Sequence, residues 1–208
     1  MSRVVRVIGV ACAGAAIGYA FVRYRRWHLS WGATPDEATG AMPGDELVSK
    51  AAFVATRAIS IDAPPDQVWP WLVQVGVGRA GFYSYDWLDN AGRPSATTIL
   101  PPYQSPAVGD LAAPMTSRAS EQTSFRVAEA TPPSRLIWHK PDSTWSWLLT
   151  PQGDGGTRLV TRLTARYRLD PLLPVTVPLM EIGDFPMMRR MLYGIKARAE
   201  QAVVTSCW

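Results

Sequence analysis

The stretch from residue 157 to 169 constrains the fold more than any other part of this 208-residue chain. Its odd positions read Thr, Leu, Thr, Leu, Ala, Tyr, Leu, and its even positions hold Arg158, Val160, Arg162, Thr164, Arg166 and Arg168. Successive side chains of a β-strand point to opposite faces, so a period of two buries one face and wets the other. An antiparallel sheet with one solvated face has this pattern, and the arginine row reads as that solvent face rather than as a track for nucleic acid. The preceding Gly153-Asp154-Gly155-Gly156 is a hairpin turn, which pairs the strand with residues 144–150. Further strands are expected at 53–61, 107–115, 123–130 and 135–140, the last two separated by Pro132-Pro133-Ser134.

Helices are expected at 67–75, after the stop Asp62-Ala63-Pro64-Pro65-Asp66, and at 82–90. A longer one runs from about 184 to 204, where Met188, Leu192, Ile195, Ala199 and Ala202 recur at three- and four-residue steps. Asp184 is its N-cap, with Pro186 in the first turn. Residues 91–106 hold four prolines and read as loop. The order is α+β: strand, two short helices, a run of antiparallel strands, then a long helix packed on a curved sheet.

Residues 7–22 form an uncharged run, VIGVACAGAAIGYAFV, flanked by Arg6 and Arg23. As a helix it spans roughly 24 Å, against the about 20 residues of a full membrane span. Three readings compete: a single-pass anchor, a cleaved signal peptide ending at Gly18-Tyr19-Ala20, and a buried helix. The boundary Arg23-Tyr24-Arg25-Arg26-Trp27 favours the anchor, with the main domain on the cytoplasmic side. Gly14 and Gly18 form a G-x-x-x-G pair through which two anchors could pack as a homodimer. The chain thus divides into an anchor with a basic flank (1–28), an irregular lead-in (29–50), a globular domain (51–204) and a tail (205–208).

Composition removes several classes of function. Cys12 and Cys207 are the only cysteines and His28 and His139 the only histidines, which leaves no disulfide framework and no Cys- or His-rich metal site. The net charge of +4 belongs to the N-terminal tip: residues 1–28 carry five arginines and no acid, and the remainder is close to neutral. A nucleic-acid binder needs a basic face on its folded part, so nucleic acid is not expected as a partner. Gly76-Val77-Gly78-Arg79-Ala80-Gly81 matches G-x-G-x-x-G, but no acidic residue closes a second strand about 20 residues later and no βαβ rhythm follows. No cofactor is implied.

The chemistry-bearing candidates are few. His139 sits in an expected strand with no G-x-S-x-G elbow anywhere. Asp86 and Asp89 lie among Tyr83, Tyr85 and Trp87, where burial would raise a carboxylate pKa and suit it to acid–base work; a cap on the neighbouring glycine-rich turn is the favoured role for Asp86. The excess of aromatics says more. Trp145 and Trp147 share one strand face, and Met187, Met188 and Met191 lie on the last helix. Large aromatics with adaptable methionines line apolar pockets, and they also fill cores.

Two segments carry a family resemblance. Ala63-Pro64-Pro65-x-x-Val68-Trp69-Pro70-Trp71-Leu72-Val73-Gln74 and Gly78-Arg79-Ala80-Gly81-Phe82-Tyr83-Ser84-Tyr85-Asp86-Trp87-Leu88-Asp89-Asn90 resemble the SRPBCC superfamily, the polyketide cyclase/dehydrase and START-like lipid-transport group. Trp31-Gly32-Ala33-Thr34, Pro43-Gly44-Asp45-Glu46-Leu47 and Arg189-Arg190-Met191-Leu192-x-Gly194-Ile195-Lys196 look like one bacterial subfamily of it. The resemblance covers roughly residues 29–200 and implies a helix-grip fold, a curved antiparallel sheet wrapped around a long C-terminal helix with a cavity between. It further implies a hydrophobic or amphipathic small molecule, lipid or polyketide-like, in that cavity. Tyr83, Tyr85, Trp87, Trp145, Trp147, Phe185 and Met188 are the expected lining, with entry between the last helix and residues 76–106. Three uses remain open: a membrane-tethered binding module, a cyclase- or hydratase-like enzyme using Asp86 or His139, and a non-catalytic interaction protein.

Overall fold

The computed structural model describes the backbone of residues 2–118, 120–121, 123–167, 171 and 173–206, and their side chains apart from 2–11, Thr176 and 202–206. Six strands form one antiparallel sheet: β1 (Phe53–Ile61), β2 (Leu111–Ala112), β3 (Phe125–Thr131), β4 (Arg135–Lys140), β5 (Ser143–Pro151) and β6 (Thr157–Ala165), in the spatial order β1-β6-β5-β4-β3-β2. The hairpin at residues 153–156 sets the β5–β6 register, with Trp145 opposite Leu163 and Trp147 opposite Thr161. A bulge between Val127 and Glu129 interrupts β3, and bulges of this kind bend a strand. The long strand expected to 169 pairs to Ala165; Arg168 and Leu169 lie outside the described residues. A wholly antiparallel sheet also disposes of the dinucleotide reading of the glycine motif, which instead closes a tight loop by mutual Gly76–Gly81 backbone bonds of 3.0 Å.

The helices are α1 (Ser2–Leu29), α2 (Pro35–Thr39), α3 (Pro65–Val73), α4 (Asp86–Asp89), α5 (Leu173–Pro178) and α6 (Asp184–Ser206), with a π-helical turn, Leu179–Gly183, leading into the last. α6 lies in the concave face of the sheet. Its Met188, Met191, Leu192, Ile195 and Ala199 join Phe53, Ile61, Leu136, Leu159 and Leu163 from the strands and Val68, Trp69 and Leu72 from α3 in one core. A helix gripped by a curved antiparallel sheet is the arrangement the resemblance implies. The helix expected at 82–90 shrinks to α4, because Phe82 and Tyr83 are drawn into the core and Tyr83 takes φ 55°. Its hydroxyl accepts from Gln74 Nε2 (2.8 Å) and donates to the Trp71 carbonyl (3.1 Å), an attachment that a continuous helix could not make.

The lead-in is a strap, not a loose segment. It crosses the convex face of the sheet, where the arginine row was expected to meet water. Glu37 of α2, which begins with a Thr34 capping box, pairs with Arg158 at 2.7 Å. Asp45 pairs with Arg162 at 2.6 Å, and Arg162 also donates to Thr56 Oγ1 and the Glu37 carbonyl. Arg162 is therefore buried. Period two identified the face correctly, but the cover comes from a part of the chain with no periodicity of its own.

α1 is a single helix whose last turns dock on the domain. Arg25 donates to both oxygens of Glu181 (2.6 and 2.9 Å), the Trp27 ring lies 4.8 Å from Phe185, and His28 is buried. From Cys12 to Val22 it is exposed, and a Cβ at Gly14 or Gly18 would meet nothing within 4 Å. Among the described residues no helix is long and apolar enough to cross a membrane; part of the run at 7–22, the side chains of 7–11, lies outside them.

Candidate functional site

Between α6 and the open end of the sheet lies a cavity of about 550 Å³. Strand alternation aims Trp145 on β5 and Leu163 on β6 into it, and Phe125 on β3 closes one side. From the helix come Met188 and Met191, three residues apart and so on one face. Trp145 is held there: its Nε1 donates to Thr161 Oγ1 at 3.0 Å, and its ring packs against Trp138, Trp147 and Phe125 at 5.0–5.8 Å between centroids. With its polar atom satisfied, the indole offers the cavity an apolar surface.

The mouth is apolar too. Leu88, Met115 and Leu179 line the cavity while remaining 55%, 51% and 52% exposed, so they form its rim. Leu88 belongs to the expected entry region; Met115 and Leu179 add a strand-edge loop and the π turn to it.

Polar groups interrupt this lining at a few places. Asp89 is on the wall, and burial pushes its carboxyl up, against the pull of the Ser84 hydroxyl; one of its oxygens, Oδ1, is buried with no hydrogen-bond partner. Burial likewise lowers Lys140, whose ammonium sits 4.6 Å from the centre of the Phe125 ring. The Tyr167 hydroxyl donates to Glu181 Oε1 at 3.0 Å, and burial raises its pKa. Asp184 reaches the cavity from the start of α6 and pairs with Arg57 Nη1 at 2.5 Å. Arg57 is wholly buried on β1, and its Nε donates to the His28 carbonyl at 2.9 Å, so one guanidinium joins the sheet, α6 and the end of α1. Burial drives the Asp184 carboxyl up while Arg57 draws it down. Among the described residues, no group of His, Cys, Asp and Glu could hold a metal ion.

Of the seven residues expected to line the cavity, the structure places Trp145 and Met188 on its wall. Trp147 points the same way along β5 but is fully buried in the core one layer deeper. Trp87 is 74% exposed at the surface, because α4 turns it outward. Tyr83, Tyr85 and Phe185 line a different concavity, of about 580 Å³, on the outer side of α6. Asp86 is there as well, accepting from Ser95 N (3.0 Å) and Ser95 Oγ (2.5 Å), the turn-capping arrangement. His139 alternates away from the cavity onto the convex face, with Nδ1 3.4 Å from Thr144 Oγ1. Phe82, Phe125, Leu163, Asp89, Lys140 and Met191 are also on the wall. Met191 was legible from its three-residue step to Met188, Leu163 from alternation and Asp89 from its place among aromatics, whereas Lys140 carried no signal of its own.

No family profile matches the chain. No curated protein matches it either. Solved structures do. A polyketide cyclase-like protein, Cgl2372 from Corynebacterium glutamicum, is 17% identical, covering 73% of this chain and 87% of its own, with a TM-score of 0.33. CalU16 from Micromonospora echinospora is 21% identical over 70% of this chain and 85% of its own, with a TM-score of 0.33. MLL2253 from Mesorhizobium loti is 16% identical over 70% and 97%, with a TM-score of 0.39. Likeness at this level assigns neither ligand nor reaction.

Proposed function

We propose that the chain is a membrane-tethered binding module that holds a hydrophobic or amphipathic small molecule between its sheet and α6, as a member of the SRPBCC superfamily. The observation that carries this reading is the cavity of about 550 Å³ with an apolar wall and an apolar, exposed rim. A concavity of this size suits a drug-sized or single-chain ligand, and burying apolar surface contributes about 25 cal/mol per Å². Tethering would come from α1, whose uncharged run at 7–22 is bounded by Arg6 and Arg23. It would keep the cavity beside a lipid source and raise the effective ligand concentration.

The test is native mass spectrometry of the full chain released from neutral detergent, followed by titration with an environment-sensitive naphthalene dye. A near-stoichiometric apolar adduct, or saturable dye uptake that Leu163→Trp removes while the melting temperature holds, is the expected result. A well-folded wild-type chain that carries no adduct and takes up no dye overturns the reading. The tether has its own check: removing residues 1–22 should move the protein from the membrane to the soluble fraction.

Acid–base chemistry in the same cavity is a second reading, favoured by the displaced pKa values of Asp89 and Lys140 on its wall. It rests on those two residues rather than on Asp86 and His139. It expects Asp89→Asn to leave dye binding intact and abolish conversion of whatever ligand copurifies; conversion that survives the substitution refutes it.

A further inference from the structure

The outer face of α6 gathers three arginines, each lying over an aromatic ring, in one cleft. Four arginines elsewhere meet carboxylates, Arg25 with Glu181, Arg57 with Asp184, Arg158 with Glu37 and Arg162 with Asp45, all at 2.5–2.7 Å, whereas Arg79 lies 4.2 Å from the Tyr103 ring and donates to the Val73 carbonyl. In the cleft of about 580 Å³ on this face, Arg189, Arg190 and Arg198 are laid on aromatic rings. The Arg189 guanidinium carbon is 5.3 Å from the Trp31 ring centre and 5.7 Å from Tyr193; Arg190 is 4.8 Å from Tyr85, and Arg198 is 4.3 Å from Tyr83. Their hydrogen bonds go to neutral backbone carbonyls. Arg190 Nε donates to Ser84 O (3.0 Å), and Arg198 donates to Ala96 O (2.9 Å) and Gly194 O (3.1 Å). Among the described residues none of the three forms an ion pair. Among the described residues Asp86 is the one carboxylate on the wall, and both its oxygens accept from Ser95.

Stacking on a ring fixes the plane of a guanidinium and leaves its outer N–H groups to donate. Three such groups around one cleft, against the single carboxylate of Asp86, make an excess of positive charge carried by ordered donors. Planar multi-donor recognition of this kind suits a phosphate oxygen cluster. The cleft also lies at the foot of α1: Phe185 on its wall contacts Trp27 at 4.8 Å, and Trp31 beneath Arg189 follows the helix end. Leu29 is seven residues beyond Val22, or ~10 Å of helical rise. With the apolar run in hydrocarbon, the cleft opens at the outer edge of the headgroup layer, which is roughly 5–8 Å thick on each side.

We propose that the arginine cleft on the outer face of α6 binds a phosphate group, presented by the headgroup of an anionic phospholipid. The headgroup as source rests on the tether proposed above; the phosphate chemistry of the site does not, and neither depends on the apolar cavity on the other side of the helix.

Isothermal titration calorimetry of the full chain in neutral detergent tests it, with dihexanoyl phosphatidic acid, dihexanoyl phosphatidylcholine and inorganic phosphate as titrants. Phosphatidic acid should bind, phosphatidylcholine less tightly. Arg189→Gln with Arg190→Gln should weaken phosphatidic acid by about tenfold or more, the scale of a lost charge-assisted contact. Lys50→Gln with Arg118→Gln, which removes the same charge from exposed positions elsewhere, should leave it unchanged. Arg189→Lys with Arg190→Lys, keeping charge and losing the planar stack, should fall between and guards against a folding defect. Inorganic phosphate bound as tightly as the lipid, with the same dependence on the arginines, overturns the headgroup source and keeps the phosphate site. No binding of either, or an equal loss in the control pair, overturns the site itself.

Discussion

Removing Arg57 while keeping Asp184 should be among the most damaging conservative changes in the domain. The Arg57 side chain is 1% exposed and that of Asp184 12%, and their contact is 2.5 Å. Arg57→Met retains much of the apolar stem but leaves a buried carboxylate without its partner. It also deprives the His28 carbonyl of a donor. Breaking a buried pair on one side costs about 3–5 kcal/mol. With an m-value of about 2 kcal/mol/M in urea, the midpoint should fall by roughly 2 M, read by tryptophan fluorescence. The double variant Arg57→Met/Asp184→Leu removes both charges and should recover most of the loss, since apolar replacement of a buried pair is often neutral or stabilising. The pH dependence gives an independent check. Burial already raises the folded-state pKa of Asp184, and without Arg57 nothing opposes it. A group raised in the folded state contributes stability below its unfolded pKa and loses that contribution as pH rises through its folded value. The single variant should therefore be relatively more stable at pH 4 than at pH 7, and the double variant should lose this dependence. A midpoint shift below about 0.5 M, equal at both pH values, would refute the reasoning.

Two further outcomes follow from the same geometry. Trp147→Ala, in the fully buried layer beneath the cavity, should cost about 3–5 kcal/mol as measured by urea denaturation; a cost near zero would mean that the layer is not packed as described. Arg158→Gln releases the strap from β6 and should cost about 0.5–1 kcal/mol, because the pair is about one-fifth exposed. Its hydrogen bond holds Glu37 below the ordinary glutamate value, so that contribution is present above the unfolded pKa and lost as pH falls through the folded one. The acid-side slope of the melting temperature should be shallower in the variant than in wild type, where the Thr34 bonds to Glu37 remain; the same slope in both would remove Arg158 from the account.

The sheet, its hairpin and the long final helix were legible in the residues, because each depends on a local periodicity: two for β5 and β6, three to four for α6. The start of the second short helix was not, since Tyr83 leaves helical geometry to reach Gln74 and Trp71, partners identified only in three dimensions. The strap had no periodic signal, and its cover of Arg158 and Arg162 depends on acids more than a hundred residues away in sequence.

The candidate site divides in the same way. Composition determined that apolar and aromatic side chains would dominate any cavity, and alternation placed Trp145 on its wall. Which aromatics face the cavity, which fill the core and which line the cleft behind α6 was decided by packing. Trp145 and Trp147 have the same strand parity but lie at different depths in a curved sheet. Tyr83, Tyr85 and Phe185 fell on the far side of α6, where close approach of Gly194 to the Tyr83 backbone brings the helix against the loop; a Cβ there would lie 2.3 Å from the Tyr83 carbonyl oxygen. Sequence patterns report which side of its own element a residue occupies. Only the tertiary structure sets two elements against each other, and with that the depth of a side chain, the partner of a charge and the existence of a cavity.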